Sequence, residues 1–471
     1  MTATNKPAQG LPAQQGHVIH DWRPEDASFW ANGGKAIATR NLWISIPALL
    51  LAFSVWMVWS AVTVRLNSIG FTFTTDQLFW MAALPGLSGA TFRIFYSFMV
   101  PIFGGRKWTA LSTASLLIPA IWMGFAVQDT STPYSVFVII ALLCGFGGGN
   151  FASSMSNISF FYPKAQQGTA LGLNAGLGNL GVSVMQFTVP LVIGAGIFGA
   201  VGGSAQELAD GSQLWLQNAG FIWVPFIAVV TIAAWFGMND LSSAKASFKE
   251  QSVIFSRKHN WLMCWLYIAT FGSFIGFAAG FPLLIKTQFP AVDALKFAFL
   301  GPLVGALIRP VGGWMADKMG GARVTLWNFV VMIAAVFGVL EFLPQDGEGG
   351  NFYGFLAMFM LLFITTGVGN GSTFRMIPVI FRTFHERLTV KASADDKAAS
   401  MKAAGKESAA VLGFSSAVAA YGAFFIPKSF GTSMALTGGP QTALYVFMGY
   451  YVTCIVVTWW WYSRKNAEMP C

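Results

Sequence analysis

Two arginines, Arg93 in "GATFRIFYSFMVPIFGGRKWT" and Arg309 in "GALIRPVGGWMADKMGGARVT", stand inside runs otherwise built of apolar and small residues. A guanidinium cannot shed its charge, and a lone one at mid-membrane costs at least about 2.5–3.5 kcal/mol. The nearest carboxylate to Arg309 along the chain, Asp317, lies roughly 12 Å further on if the run is helical. The nineteen acids all fall in polar segments or at the ends of apolar runs, Glu341 and Glu407 coming closest. His17, His20, His259 and His385 lie outside the apolar runs. A buried ion pair would need an internal acid that these runs do not contain. The compensating charge is therefore expected on a cargo, and the planar fork of arginine suits a small, flat oxyanion.

Around the arginines, Phe53, Phe151, Tyr267 and Phe271 are candidate walls of a dry site in which such contacts strengthen. With 44 phenylalanines in the chain, core or lipid packing is the better explanation of any single one. The run "GLNAGLGNLG" puts Gly172, Gly176 and Asn179 on one helical face, with Gly178 alongside. The glycines predict close helix approach. Asn179 is the better ligand candidate of the two asparagines, Asn174 and Asn179. A matching small-residue run carries Gly413, Ser415, Ser416, Ala417 and Ala420, with Ser415 as its candidate contact. Arg375 and Asp317 are assigned to gating at the ends of their spans rather than to cargo.

The elements that must hold these residues are membrane helices. At 55% hydrophobic, 10% charged and a mean hydropathy of +0.59, the 471-residue chain reads as polytopic. Apolar runs predict spans at 42–65, 77–102, 109–127, 134–160, 168–200, 219–237, 261–285, 295–315, 324–343, 352–376, 408–427 and 441–462. The fold class is thus an all-α membrane protein of twelve helices. With the N-terminus inside, 21 lysines and arginines lie on the inner side and four (Arg65, Lys286, Lys296, Lys428) outside. That asymmetry places both termini in the cytoplasm. The net charge of +9 is spread over loops with no basic arm, so no nucleic-acid partner is expected. Cys144, Cys264, Cys454 and Cys471 show no metal or disulfide spacing, and no cofactor is expected. The N-terminus lacks a signal peptide's pattern. Its stretch "DWRPEDASFWANGGKAIATRNLW" reads as an interfacial lead-in with tryptophans at headgroup level.

An internal repeat organises the spans. Ungapped, the two arginine stretches place Gly89, Ala90, Arg93, Gly104, Gly105 and Thr109 on Gly305, Ala306, Arg309, Gly320, Gly321 and Thr325, 216 residues on. "GNFASSM" and "GNGSTFRM" repeat at 220, and the helix-5 and helix-11 glycine runs at 241, the growth being assigned to a flexible, charged loop at 382–406. The implied domains are 1–41 (N-terminal segment and interfacial helix), 42–237 (first half), 238–260 (linker), 261–462 (second half) and 463–471 (tail). Parallel six-helix halves imply a site between them near the midplane.

"GWMADKMGGAR" resembles the G-x-x-x-D-[RK]-x-G turn of the major facilitator superfamily; in the first half Pro101 stands where the aspartate would align. More specifically, the chain resembles the NarK-like nitrate/nitrite porter family. The stretches "RNLWISIPALLLAF", "FTFTTDQLF", "NFASSMSNISFFYPK", "LGLNAGLGNLGVSVMQ", "LYIATFGSFIGF" and "FFIPKSFG" carry the likeness, together with the helix-11 run "FSSAVAAYG", where Tyr421 departs from the pattern. The resemblance implies Arg93 and Arg309 as substrate arginines, Asn179 and Tyr267 as polar contacts, and Phe53, Phe151 and Phe271 as walls, with Ser415 on helix 11. It also implies a transporter of the bacterial inner membrane, acting on nitrate and nitrite as a monomer. Two guanidiniums brought to about 7 Å at an effective dielectric of about 20 repel by about 2.4 kcal/mol. An empty carrier would then resist occlusion, which favours nitrate:nitrite antiport. Nitrate/proton symport is the alternative, and a membrane anion sensor the alternative of another class. No nucleophile arrangement or nucleotide loop points to an enzyme.

Overall fold

The computed structural model describes residues 14–244, 252–345, 349–390 and 393–471; Lys6, Lys245, Lys249 and Lys391, counted in the charge asymmetry, lie outside these. Among the described residues, twelve helices are long and apolar enough to cross a bilayer. They are helix 1 (Ala27–Val62), helix 2 (Thr75–Tyr96), helix 3 (Gly105–Ala126), helix 4 (Tyr134–Phe161), helix 5 (Lys164–Val192) and helix 6 (Asn218–Gly237). The second half adds helix 7 (Lys258–Gln288), helix 8 (Leu295–Met319), helix 9 (Gly321–Phe342), helix 10 (Phe352–Leu388), helix 11 (Ala394–Thr437) and helix 12 (Gln441–Ser463). One apolar cluster, from Leu49 and Phe53 to Phe430 and Tyr451, runs through both halves.

The largest departure from expectation is at 382–406. Helix 10 continues to Leu388 and helix 11 begins at Ala394, so most of the supposed loop is helical. The reason is local: Ser393 caps the N–H of Asp396, Asp395 and Asp396 occupy the first turn, and the alanines and lysines that follow are strong helix formers. Charge kept this stretch out of a hydropathy reading without making it irregular.

In the lead-in, Trp22 and Trp30 are buried against the protein. The Trp22 indole donates to the Phe160 carbonyl at 3.1 Å and packs edge-on to Phe29 and Phe161. Trp30 meets Tyr162. Asp26 caps a short helical turn through Ser28 and Phe29, and those bonds hold its carboxyl below the usual value. The turn is set off from the long helix 1 by a break at Asn32 and Gly33. Val18 and Ile19 pair in parallel with Asp240 and Leu241 just after helix 6. The N-terminal segment thereby joins the ends of helices 4 and 6, on the face where Cys471 meets helix 9. We call this the terminal face.

The repeat is visible in the backbone. Gly104 and Gly320, 216 residues apart, both have φ of +89°, a conformation open to glycine, and each precedes a helix start. The N-terminus of helix 3 presents the Arg106 N–H to Asp240 Oδ1 at 2.8 Å; that of helix 9 presents the Ala322 N–H to the Cys471 carbonyl at 3.0 Å. Asp240 also pairs with the Arg106 side chain at 3.2 Å, both being almost fully buried. Asp240, at the end of helix 6, is thus an N-terminal cap of helix 3 and an ion-pair partner at once. Replacing Asp240 with alanine leaves the Arg106 charge buried and unpaired. We expect a loss of about 3 kcal/mol of stability, read as a lowered unfolding midpoint of the detergent-solubilised protein.

Candidate functional site

Helix 2 carries Arg93 into the middle of the molecule, where its residue is 1% exposed. Its Nε donates to the Gly148 carbonyl of helix 4 at 2.8 Å. Its Nη1 crosses to the other half and donates to the carbonyl and hydroxyl of Ser416 on helix 11, at 3.1 and 3.0 Å. Nη2 is buried without a partner. Four rings surround the guanidinium carbon, with centroids at 4.7 Å (Phe151), 5.1 Å (Trp56), 5.4 Å (Phe271) and 5.9 Å (Phe53). Such faces attract a cation, more so where water is excluded.

Arg309, from helix 8, is only partly buried. Its Nη2 donates to the Tyr267 hydroxyl at 3.2 Å, Phe374 of helix 10 lies 5.1 Å beneath it, and Nη1 has no partner. Tyr267 stacks on Phe271 at 5.6 Å and 12°. Helix 7 makes a π-turn over Ile268–Gly272 beside this pair, a distortion often found at functional positions. The two arginines are thus linked through Phe271 and Tyr267, one guanidinium from each half. Among the described residues, neither is paired with a carboxylate. Each keeps one nitrogen free for an acceptor that the protein does not supply.

Arg93, Arg309, Tyr267, Phe53, Phe151 and Phe271 are therefore brought together. Asn179 is 2% exposed with an unpartnered Oδ1, but hydrogen-bonds to neither arginine; Asn174 donates its amide to Ser154 of helix 4 at 2.9 Å, and its Oδ1 too is unpartnered. Ser415 faces Cys264 at 3.5 Å, and it is the adjacent Ser416 that meets Arg93. Asp317 and Arg375 form an ion pair between helices 8 and 10, half exposed and within one half. The expected close approach of helix 5 holds only in part. Gly178 packs on Leu49 of helix 1, whereas a side chain on Gly172, Gly176 or Gly413 would meet nothing within 4 Å. Those three lie in the terminal-side halves of helices 5 and 11 and border open space.

Trp56, Phe374, Gly148 and Ser416 went unrecognised in the sequence. Trp56 lies three residues from Phe53 on one helical face, and Phe374 sits beside Arg375 in "STFRM", so both signals were present. The face opposite the termini is closed by Arg65–Asp293 and Asp76–Lys428 pairs that cross between halves at 2.7 and 2.8 Å. Each is partly exposed and worth under about 1 kcal/mol. Converting Asp76 and Asp293 together to asparagine is expected to raise thiol labelling of a cysteine placed at Ser433 by roughly fivefold.

Comparison with known proteins agrees with this architecture. Residues 44–390 match the family model described as Major Facilitator Superfamily. The chain is 57% identical over 452 residues to the nitrate/nitrite transporter NarU of Escherichia coli (strain K12), covering 96% of this chain and 97% of that protein. It is 41% identical to the probable nitrate/nitrite antiporter NarK2 of Thermus thermophilus, covering 98% and 100%. In fold it is similar to the crystal structure of a D-xylose–proton symporter (TM-score 0.62, 14% identity, covering 90% and 97%). A bacterial homolog of the human lysosomal transporter Spinster is also similar (TM-score 0.59, 14% identity, 90% and 94%). With its twelve spans, its repeated halves and this degree of identity, the chain belongs to the major facilitator superfamily and, within it, to the NarK-like nitrate/nitrite porters.

Proposed function

We propose that this protein exchanges nitrate and nitrite across the bacterial cytoplasmic membrane, one anion in for one out, by alternating access as a monomer. Both termini are cytoplasmic in this reading, which makes the open side the inner one. The observation that carries it is the pair of guanidiniums, one per half, each with an unpartnered nitrogen and no carboxylate partner. A planar −1 anion between them supplies the acceptors and half the charge. Loaded, the halves close around a net charge of +1; empty, they would confront +2 in a site walled by aromatic rings, where repulsion is least screened. The relatives' names, nitrate/nitrite transporter and probable nitrate/nitrite antiporter, support the cargo and the exchange. No cofactor is required and no covalent chemistry takes place.

The test is uptake of labelled nitrate into proteoliposomes whose lumen is empty, nitrite-loaded, or empty under an inward proton gradient. Uptake only against luminal nitrite is the expected result. Uptake into empty vesicles that follows the proton gradient would mean symport and overturn exchange.

A further inference from the structure

Helices 2 and 11, from opposite halves, meet in a series of contacts running from the closed face to the middle of the membrane. Asp76 pairs with Lys428, whose ammonium also lies 4.5 Å from the Trp80 ring centroid. Trp80 meets Phe424 at 5.8 Å. Gly86 lies so near the Ala423 backbone that a side chain there would collide with it. The Thr91 and Tyr421 hydroxyls are 2.9 Å apart. The innermost contact is Arg93 to Ser416. It differs from the rest because its donor is the guanidinium assigned to the anion.

We infer that Ser416 is a positioning residue that stands in for the anion on Arg93 when the carrier is empty and open to the terminal face. The inference rests on the exchange reading above and deepens it. Gly148, in the same half as Arg93, fixes the guanidinium through Nε. Ser416, in the other half and 3% exposed, then occupies Nη1 with two oxygens. Such charge-assisted bonds are the stronger kind, and here they lower the cost of holding a cation without a counter-ion.

Two events break this contact. An anion engaging the paired donors of the Arg93 fork needs Nη1 as well as Nη2, and so displaces the Ser416 oxygens. Opening of the closed face draws helix 2 away from helix 11 and takes Ser416 with it. The contact therefore stabilises the empty inward-open carrier against both the loaded carrier and the empty outward-open one. A carrier so held waits for an anion before it turns, and a loaded one has already given the contact up. Arg309 has no equivalent, since its polar partner Tyr267 belongs to its own half. Ser415 cannot substitute, because it points about 100° away around the helix, towards Cys264.

The decisive comparison is Ser416→Ala against Tyr421→Phe. The first removes the hydroxyl on Arg93 and keeps the backbone carbonyl. The second removes a neighbouring link between the same two helices without touching Arg93. In proteoliposomes, the ratio of net nitrate uptake (empty lumen) to exchange (nitrite lumen) is expected to rise about fivefold in Ser416→Ala. It should stay at the wild-type value in Tyr421→Phe. In detergent, the nitrate concentration giving half-maximal thermal stabilisation should fall about fivefold in Ser416→Ala alone. Wild-type values in Ser416→Ala overturn the inference, and so does an equal change in Tyr421→Phe, which would make the contact ordinary interface packing. If the wild type itself takes up nitrate into empty vesicles with the proton gradient, the exchange reading fails. The detergent measurement then decides Ser416 by itself: a lowered half-saturation upholds its role, and an unchanged one removes it.

Discussion

Replacing Arg93 with lysine is expected to cut nitrate exchange by at least about a hundredfold while the protein still inserts and folds. Lysine keeps the charge but offers one rotating ammonium in place of a planar fork. Arg93 spends Nε on Gly148, and that bond aims Nη1 and Nη2 together at the anion once Ser416 is displaced. An ammonium cannot hold the Gly148 oxygen and also offer the anion two bonds in a fork. Two charge-assisted bonds at about 1.5–3 kcal/mol each amount to at least about 3 kcal/mol, or roughly two decades. Arg309→Lys should be milder, about tenfold, because that side chain is less deeply buried than Arg93 and has one polar bond, to Tyr267. The measurement is exchange rate against nitrate concentration, normalised to reconstituted protein. An Arg93→Lys variant with wild-type half-saturation would take Arg93 out of the site. A larger loss in Arg309→Lys would reverse the asymmetry argued here.

That asymmetry was not legible in the sequence, where the two arginines stand at matching repeat positions with matching neighbours. Hydropathy and the missing internal acids sufficed to find them, because an uncompensated charge in an apolar run is rare and costly. The repeat predicted their opposition, and Gly104 and Gly320 keep it down to the backbone angle. What distinguishes them comes from contacts between halves. Arg93 reaches across to Ser416, and Phe271 of the second half closes over it, whereas Arg309 bonds within its own half. Such contacts depend on crossing angles and on which face of the carrier is closed, and no pattern along one helix encodes either. Ser415 and Ser416 illustrate the limit: both belong to one small-residue run, and only the rotation of helix 11 decides which meets the arginine.

Trp22 and Trp30 are placed by long-range contacts of the same kind. Tryptophan suits a headgroup layer and a protein groove equally well, since each offers an apolar bed and a partner for the indole N–H. Pairing of Val18 and Ile19 with Asp240 and Leu241, far apart in the chain, draws the segment onto the protein. The helical stretch at 394–406 was overlooked because the reading followed hydropathy, while the Ser393 cap and alanine-rich composition were the signals that mattered.

The second large effect concerns glycines that touch nothing. Gly172, Gly176 and Gly413 lie inside helices, where each costs about 0.5–1 kcal/mol relative to alanine, and a side chain on any of them would meet open space. Nothing in the form described above uses their smallness. It must serve a form in which helices 5 and 11 come together and shut the terminal face, since small residues let membrane helices approach closely. Leucine at both Gly176 and Gly413 should therefore leave folding intact, or raise the unfolding midpoint slightly. Nitrate should still stabilise the protein in detergent, because the arginines and their rings are untouched. Exchange, by contrast, should fall by at least about a hundredfold, since two extra side chains at the seam oppose closure by several kcal/mol of overpacking. The double variant thus separates binding from turnover, which the arginine variants cannot do. Wild-type exchange in that variant would mean that the two glycines stay apart throughout the cycle, and the closing surface would have to be sought nearer the Asp317–Arg375 pair, at the end of helix 8 and within helix 10.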